Sequence, residues 1–302
     1  MKFFFALLVS FFFLFPSPVF SGDGSAGMQF LKLGIHPRMN ALGDASVVLG
    51  SDAASAYTNP ALLSLSANSS VQLSHKTWLA GTTTDFIGAK TSLNDFSFSV
   101  FLNTTNIPGF EVRTRPGPLE GMFDVHYFAT GLSSAYALSE TFSFGVNAKI
   151  LYEKIFVDDA TGFAADFGAS HLVNDVLLLG ASVNNIGSMS SLRSSATTLP
   201  TSARIGGSYT FIFPALNADM LVTTDGISFF AEKSNHLVGG VEFTYDRMLA
   251  LRAGWQTGFE ARNFFSAGLG ITYNSLIFDY AFVPAKYSFD SGHTIAVGYI
   301  FH

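Results

Sequence analysis

From Val71 onward apolar and polar residues alternate with a period of two, the period of a pleated strand with unlike faces. In 141–152 the even positions are Phe142, Phe144, Val146, Ala148, Ile150 and Tyr152, and the odd ones are Thr141, Ser143, Gly145, Asn147, Lys149 and Leu151. Over 201–211 Ala203, Ile205, Gly207, Tyr209 and Phe211 oppose Ser202, Arg204, Gly206, Ser208 and Thr210. Leu249, Leu251, Ala253 and Trp255 alternate with Arg252, Gly254 and Gln256, and Phe265, Ala267, Leu269, Ile271 and Tyr273 with Ser266, Gly268, Gly270 and Thr272. About fourteen such segments are predicted, near 70–78, 84–92, 95–104, 123–137, 141–156, 161–171, 176–184, 200–211, 216–224, 235–245, 249–257, 263–273, 276–283 and 293–301. Most reach the roughly nine to eleven residues that a transmembrane strand needs.

The connections alternate in length, as they do in outer-membrane barrels with short turns on one side and longer loops on the other. The connections at 274–275, 246–247, 213–215 and 138–140 are short, whereas 258–262, 225–234, 185–199 and 105–121 are long. This parity predicts an even strand count with both ends on the short-turn side. The last segment places Ile295, Val297, Tyr299 and Phe301 on one face, with His302 after the final aromatic.

One stretch, 38–63, lacks the strand period. Asp52 can cap a helical turn over 53–57, and Asn59 a second with Pro60 at its first position, because the residue before a proline is held in the extended backbone an N-cap requires. Ala41, Gly43, Ala45, Ala53, Ala54 and Ala56 are too small to form a core alone, so this segment must press against the rest of the chain.

Composition narrows the class. Of 302 residues, 33 are phenylalanine, 13% are charged and none is cysteine, which favours a membrane protein and removes disulfides and thiol chemistry. The net charge of −6 contains no basic block, so a nucleic-acid partner is not expected. Lys2, an apolar run over 3–15 and small residues near Ser21 have the form of a secretory signal peptide. The chain therefore divides into a leader at 1–21, an N-terminal plug segment at 22–69 and a barrel at 70–302.

A charged side chain facing lipid costs about 2–4 kcal/mol at the midplane for Arg or Lys. Lys149, Arg204 and Arg252, with Asp166, Asp219, Glu242 and Asp279, fall on the small and polar strand faces, which places them in the lumen. The lumen of so wide a barrel needs an occupant or is a channel. The 34–65 segment is the natural occupant, with Arg38 and Asp44 or Asp52 anchored to luminal charges such as Glu242, Asp279 and Arg204.

The pattern Arg38, Ala41-Leu-Gly43-Asp44-Ala45, Asp52-Ala53-Ala54 and Asn59-Pro60-Ala61 resembles the N-terminal signature of the PorV/PorQ family, outer-membrane barrels related to the FadL-type transporters of hydrophobic solutes. The likeness continues through 183–187, 199–206 and 279–281, and departs at Leu62, where such proteins commonly carry glycine. The resemblance implies an all-β transmembrane antiparallel barrel in the outer membrane of a diderm bacterium, with the N-terminal segment inside it. It implies binding or shuttling of exported proteins, as in type IX secretion, with cargo or secretion subunits meeting the loops at 105–121 and 185–199. The alternative is a FadL-like channel for a hydrophobic small molecule. The longest loop has only Ile107, Phe110 and Val112 as apolar anchors, which favours the secretion role.

No catalytic or cofactor motif is present. The seven histidines show no metal-ligand spacing, and Gly268-Leu-Gly270 lacks the third glycine of a dinucleotide site, so neither metal, cofactor nor enzyme activity is expected. A hydrolytic site would have to draw on Asp158, Asp159, His236 and His293 near the outer rim. Trp78, Tyr152, Tyr209, Tyr245, Trp255 and Tyr273 near strand ends read as an interfacial girdle.

Overall fold

The computed structural model describes residues 26–113, 115–258, 264–286 and 290–301, so the expected leader lies outside the described residues. Sixteen strands follow in chain order: β1 (Ser69–Thr77), β2 (Thr83–Leu93), β3 (Phe96–Val112), β4 (Gly121–Ala137), β5 (Phe142–Ile155), β6 (Asp158–Asn174), β7 (Leu177–Met189), β8 (Ser191–Leu192), β9 (Ser195–Ala196), β10 (Ser202–Phe213), β11 (Ala218–Phe229), β12 (Ser234–Tyr245), β13 (Leu249–Gln256), β14 (Phe265–Tyr273), β15 (Leu276–Val283) and β16 (Gly292–Phe301). All but β8 and β9 pair antiparallel in one sheet that closes on itself, giving a fourteen-stranded barrel. Closure joins β1 to β16, from Ser69 opposite Phe301 to Thr77 opposite His293. No backbone edge is then left unpaired, which is the condition for a sheet to stand in hydrocarbon.

The alternation in sequence becomes two faces of the wall. Leu132, Ile150 and Leu251 are each more than 60% exposed, while their neighbours Ser133, Lys149 and Arg252 are buried. An apolar band facing outward around a closed barrel is what lipid requires, and it makes this a transmembrane barrel of the outer-membrane type. The final strand also presents Ile295, Val297, Tyr299 and Phe301 outward.

Both ends of the barrel lie on the short-turn side, as the parity predicts, but the opposite side differs from expectation in three places. β3 runs on to Val112, leaving a connection of 113–120 in place of a 105–121 loop. β7 continues to Met189 and is followed by the β8–β9 ribbon within 190–201. β11 extends to Phe229, so Asp225 belongs to a strand. In each case the polar residues that read as loop face a polar lumen or a wall above the hydrocarbon, where a strand needs no apolar face. The connection at 156–157 is a tight turn on the long-loop side.

Of three bulges in the wall, two bear on the site. One lies between Ile107 and Phe110 in β3. The other sets Asn184 and Asn185 of β7 opposite Asp166 alone, with Asn185 at φ 61°.

Candidate functional site

Residues 26–68 lie against the inward faces of the strands. They form one short helix, α1 (Pro37–Ala41), and 3₁₀ turns at Gln29–Lys32, Ser55–Tyr57 and Pro60–Leu65. Asn59 accepts from Ala61 N at 3.1 Å with Pro60 at the first turn position, and Asp52 accepts from Ser55 N at 2.9 Å. Small residues let these turns approach the wall. Gly43 has φ +72°, and a Cβ there would run into the backbone carbonyls of Trp255 and Gly239. The facing glycines at 240, 254 and 268 likewise leave room for Ala41 and Leu42.

On the side formed by β10–β16 and β1 the segment is held by charge. Arg38 grips Glu242 with two bonds, Nε to Oε2 at 2.8 Å and Nη2 to Oε1 at 2.6 Å. Arg252 donates from Nε to the same Glu242 Oε2 at 2.6 Å and from Nη1 to Asp279. His36 caps α1, accepting from Arg38 N at Nδ1 (3.2 Å), which leaves Nε2 to face Asp279 Oδ2 at 3.7 Å. Lys76 reaches Gly34 O at 3.2 Å and Asn40 Oδ1 at 3.1 Å. Higher on this wall, Asp225 is fully buried and accepts from the backbone N–H groups of Ser46 (2.6 Å) and Val47 (2.9 Å), while Arg204 donates to Asp44 O at 3.2 Å.

The β2–β7 side is different. Met28, Phe30, Ala53, Ala54 and Tyr57 from the segment pack with Phe86, Phe101, Ala129, Leu151, Met189 and Leu199 in one buried apolar column. Phe30 stacks on Tyr127 at 5.2 Å, and Tyr57 meets Phe101 edge-on at 5.6 Å. One ion pair interrupts it, Lys149 to Asp166 at 2.8 Å. Asp166 also accepts from Asn147 Nδ2 (2.8 Å) and from the Asn185 N–H that the β7 bulge turns toward it (2.7 Å).

Of the residues singled out by sequence, Arg38, Glu242, Arg252 and Asp279 converge, Lys149 joins Asp166, and Arg204 meets the backbone of Asp44. Asp219 shares the inward parity of Asp225 but sits half-buried near the short-turn end, away from the others. Asp52 is half-buried and bonds within its own segment. The rim residues do not gather: His236 faces inward against Phe229, His293 points outward beside Tyr280, and Asp158 pairs with Arg193. Asp225, Lys76, Phe101 and Tyr57 escaped the sequence reading. For Phe101 a signal existed, because it interrupts the otherwise polar face Ser97, Ser99, Asn103, Thr105.

Outside the wall, a recess of about 590 Å³ is lined mainly by outward residues of β2–β5, among them Asp85, Thr104, Asn106, His126, Phe128 and Tyr152. Tyr127 lines it too, beneath the β3 bulge.

A closed fourteen-stranded antiparallel barrel with an apolar outer band and a filled lumen defines an outer-membrane protein with a FadL-like fold. Among solved structures, the toluene transporter TodX of Pseudomonas putida superposes with a TM-score of 0.64 over 88% of this chain and 98% of that one, at 13% identity. A FadL homologue of Pseudomonas aeruginosa gives a TM-score of 0.59 over 88% and 98%, also at 13% identity. A TodX monoaromatic hydrocarbon channel carrying the deltaS2S3 mutation gives 0.61 at 14% identity, over 88% and 98%. No family model matches the sequence, and no curated protein matches it.

Proposed function

We propose that this barrel is a channel for hydrophobic small molecules, with residues 26–68 as its plug. The observation that carries the reading is the buried apolar column between the plug and β2–β7. A static closure element needs no apolar face so much larger on one side than the cluster of Ala45, Ile227, Phe229 and Val238 on the other, whereas a solute leaving water gains about 25 cal/mol per Å² of apolar surface it buries. Above the column, stacked Phe110 and Phe123, with Phe156 beside them, form an apolar rim. Tyr127 joins the column to the outer recess, which offers a route through the wall into the membrane. The structural neighbours described as toluene and monoaromatic hydrocarbon channels support the same class.

A PorV/PorQ-type role in protein export is the competing reading suggested by the N-terminal motif. It loses part of its expected docking surface, since β3 takes up 105–112 of the 105–121 stretch and β7 takes up 185–189 of the 185–199 stretch. The test is expression in a host with few porins, followed by uptake of labelled toluene. Accelerated uptake that drops when Phe30 is replaced by aspartate supports the channel; unchanged uptake, with exported proteins recovered on the purified barrel, would reverse the choice.

A further inference from the structure

Six buried side-chain oxygens on β1–β5 lack a hydrogen-bond partner among the described residues. Three form a line across the wall. Ser99 faces Ser133 and Ser133 faces Asn147 at successive register pairs, and each residue is 3% exposed or less. The unpartnered atoms are the Ser99 and Ser133 hydroxyls and Asn147 Oδ1, with Asn103 Oδ1 one turn of the pleat above Phe101. Burying such groups unpaired is costly, so a row of them beside an aromatic cluster suits a hydrogen-bonding ligand.

The geometry brings ring and oxygen to one point. A Cβ on Gly131 would lie 2.5 Å from Phe101 Cε1 and 2.8 Å from Asn147 Oδ1, so the aromatic edge and the unpartnered acceptor meet over a bare glycine. Phe86 stacks on Phe101 at 5.8 Å on the other side. The plug already inserts a phenol here. The Tyr57 ring packs edge-on against Phe101, and its hydroxyl accepts from Asn103 Nδ2 at 3.2 Å.

We infer that the β2–β5 half of the lumen is a binding site for hydroxylated aromatic compounds, and that Tyr57 occupies it as a resident stand-in for the phenol it admits. This rests on the channel reading and names its solute class. A hydrocarbon would leave the Asn147 and Asn103 oxygens unsatisfied. A carboxylate would set its charge against the Asn147 and Asn103 oxygens, which only accept, and the nearby cations are engaged: Lys149 with Asp166, Lys90 with the carbonyls of Ser66 and Asn68. A phenol supplies a ring for the cluster, a donor for an asparagine oxygen and an oxygen that accepts from a serine hydroxyl.

The test is calorimetric titration of the barrel in lipid nanodiscs, with empty nanodiscs subtracted, using p-cresol, toluene and p-toluate on one carbon skeleton. The expected order is p-cresol first, by about tenfold or more over toluene, the factor that one buried hydrogen bond supplies. Tyr57→Ala, which removes the internal competitor, should raise p-cresol affinity more than toluene affinity. The Ser99→Ala/Ser133→Ala pair should narrow the preference without lowering the melting temperature, because it deletes groups that have no partner. Ser143→Ala is the control, since that hydroxyl is already bonded to Ala61 O and Ser170 Oγ and its loss should leave the preference intact. Toluene binding as tightly as p-cresol, unaffected by the serine pair, overturns the phenol inference and leaves the channel standing. Binding of none of the three removes both.

Discussion

The two halves of the lumen hold the same plug by opposite chemistry. Toward β10–β16 the contact is ionic, with the partly exposed Arg38 and the buried Arg252 converging on the buried Glu242 and Asp279. Toward β2–β7 it is apolar, built from Phe30, Tyr57, Phe86, Phe101 and Leu151. An ion pair in low dielectric is steeply sensitive to geometry, because a partner moved away leaves a charge unpaired. Apolar contact is non-directional and accepts any apolar surface of about the right shape in exchange. On the channel reading, one half anchors the plug and the other gives way to a solute.

The sharpest break of that contrast is Arg252→Met. It strips Glu242 of one partner and Asp279 of its arginine, and removing one side of a buried pair costs about 3–5 kcal/mol. The expected outcome is a large fall in the urea midpoint of the folded barrel and raised conductance in planar bilayers. Unchanged conductance would mean that Arg38 and the Asp225 bonds hold the plug without this network.

Leu151→Ala probes the other half and should cost about 2–4 kcal/mol through the cavity it leaves. Leu151 is fully buried in the column. Here the loss should be partly restored by adding p-cresol or toluene, since a ligand that binds only the folded state stabilises it by mass action. The same addition should do nothing for Arg252→Met. Equal rescue of both, or of neither, would erase the distinction between the halves.

The barrel was legible in sequence because lipid outside and polar surface inside impose one alternation on every strand; 141–152 reads the same way from either source. What failed was wherever that pressure lapses. Thr105 and Asn106 sit where both faces tolerate polar groups, so this end of the strand reads as a loop. Asp225 lies in a Thr-Thr-Asp-Gly run that reads as a turn, yet it holds two plug N–H groups. The plug motif announced close packing through its alanines and glycines, but small residues do not specify their partners. Nothing in Tyr57 itself names Phe101 or Asn103; that pairing depends on how the closed barrel brings β3 against the plug.

A last and smaller effect sits where the halves meet at the outer end. Glu232, on the 230–233 connection of the ionic side, accepts from Lys32 and Gln29, each at 2.8 Å. Between those two lies Phe30, the lid of the apolar column. Burial raises the Glu232 pKa, but the hydrogen bonds from Lys32 and Gln29 and the Lys32 charge outweigh it, so the net shift is downward; His236 nearby adds to the lowering. A carboxylate with a depressed folded pKa contributes its stability above the ordinary value of 4.5 and loses it as pH falls through the folded value. Acid should therefore loosen the lid from the ionic side while the anchor below stays engaged. Hydrogen exchange of amides 27–33, corrected for intrinsic rates, should accelerate as pH drops below 4.5. In Glu232→Gln it should be fast already at neutral pH and show no such step. A step that survives that substitution would place the acid-sensitive tie elsewhere, leaving Phe30 held by the apolar half alone.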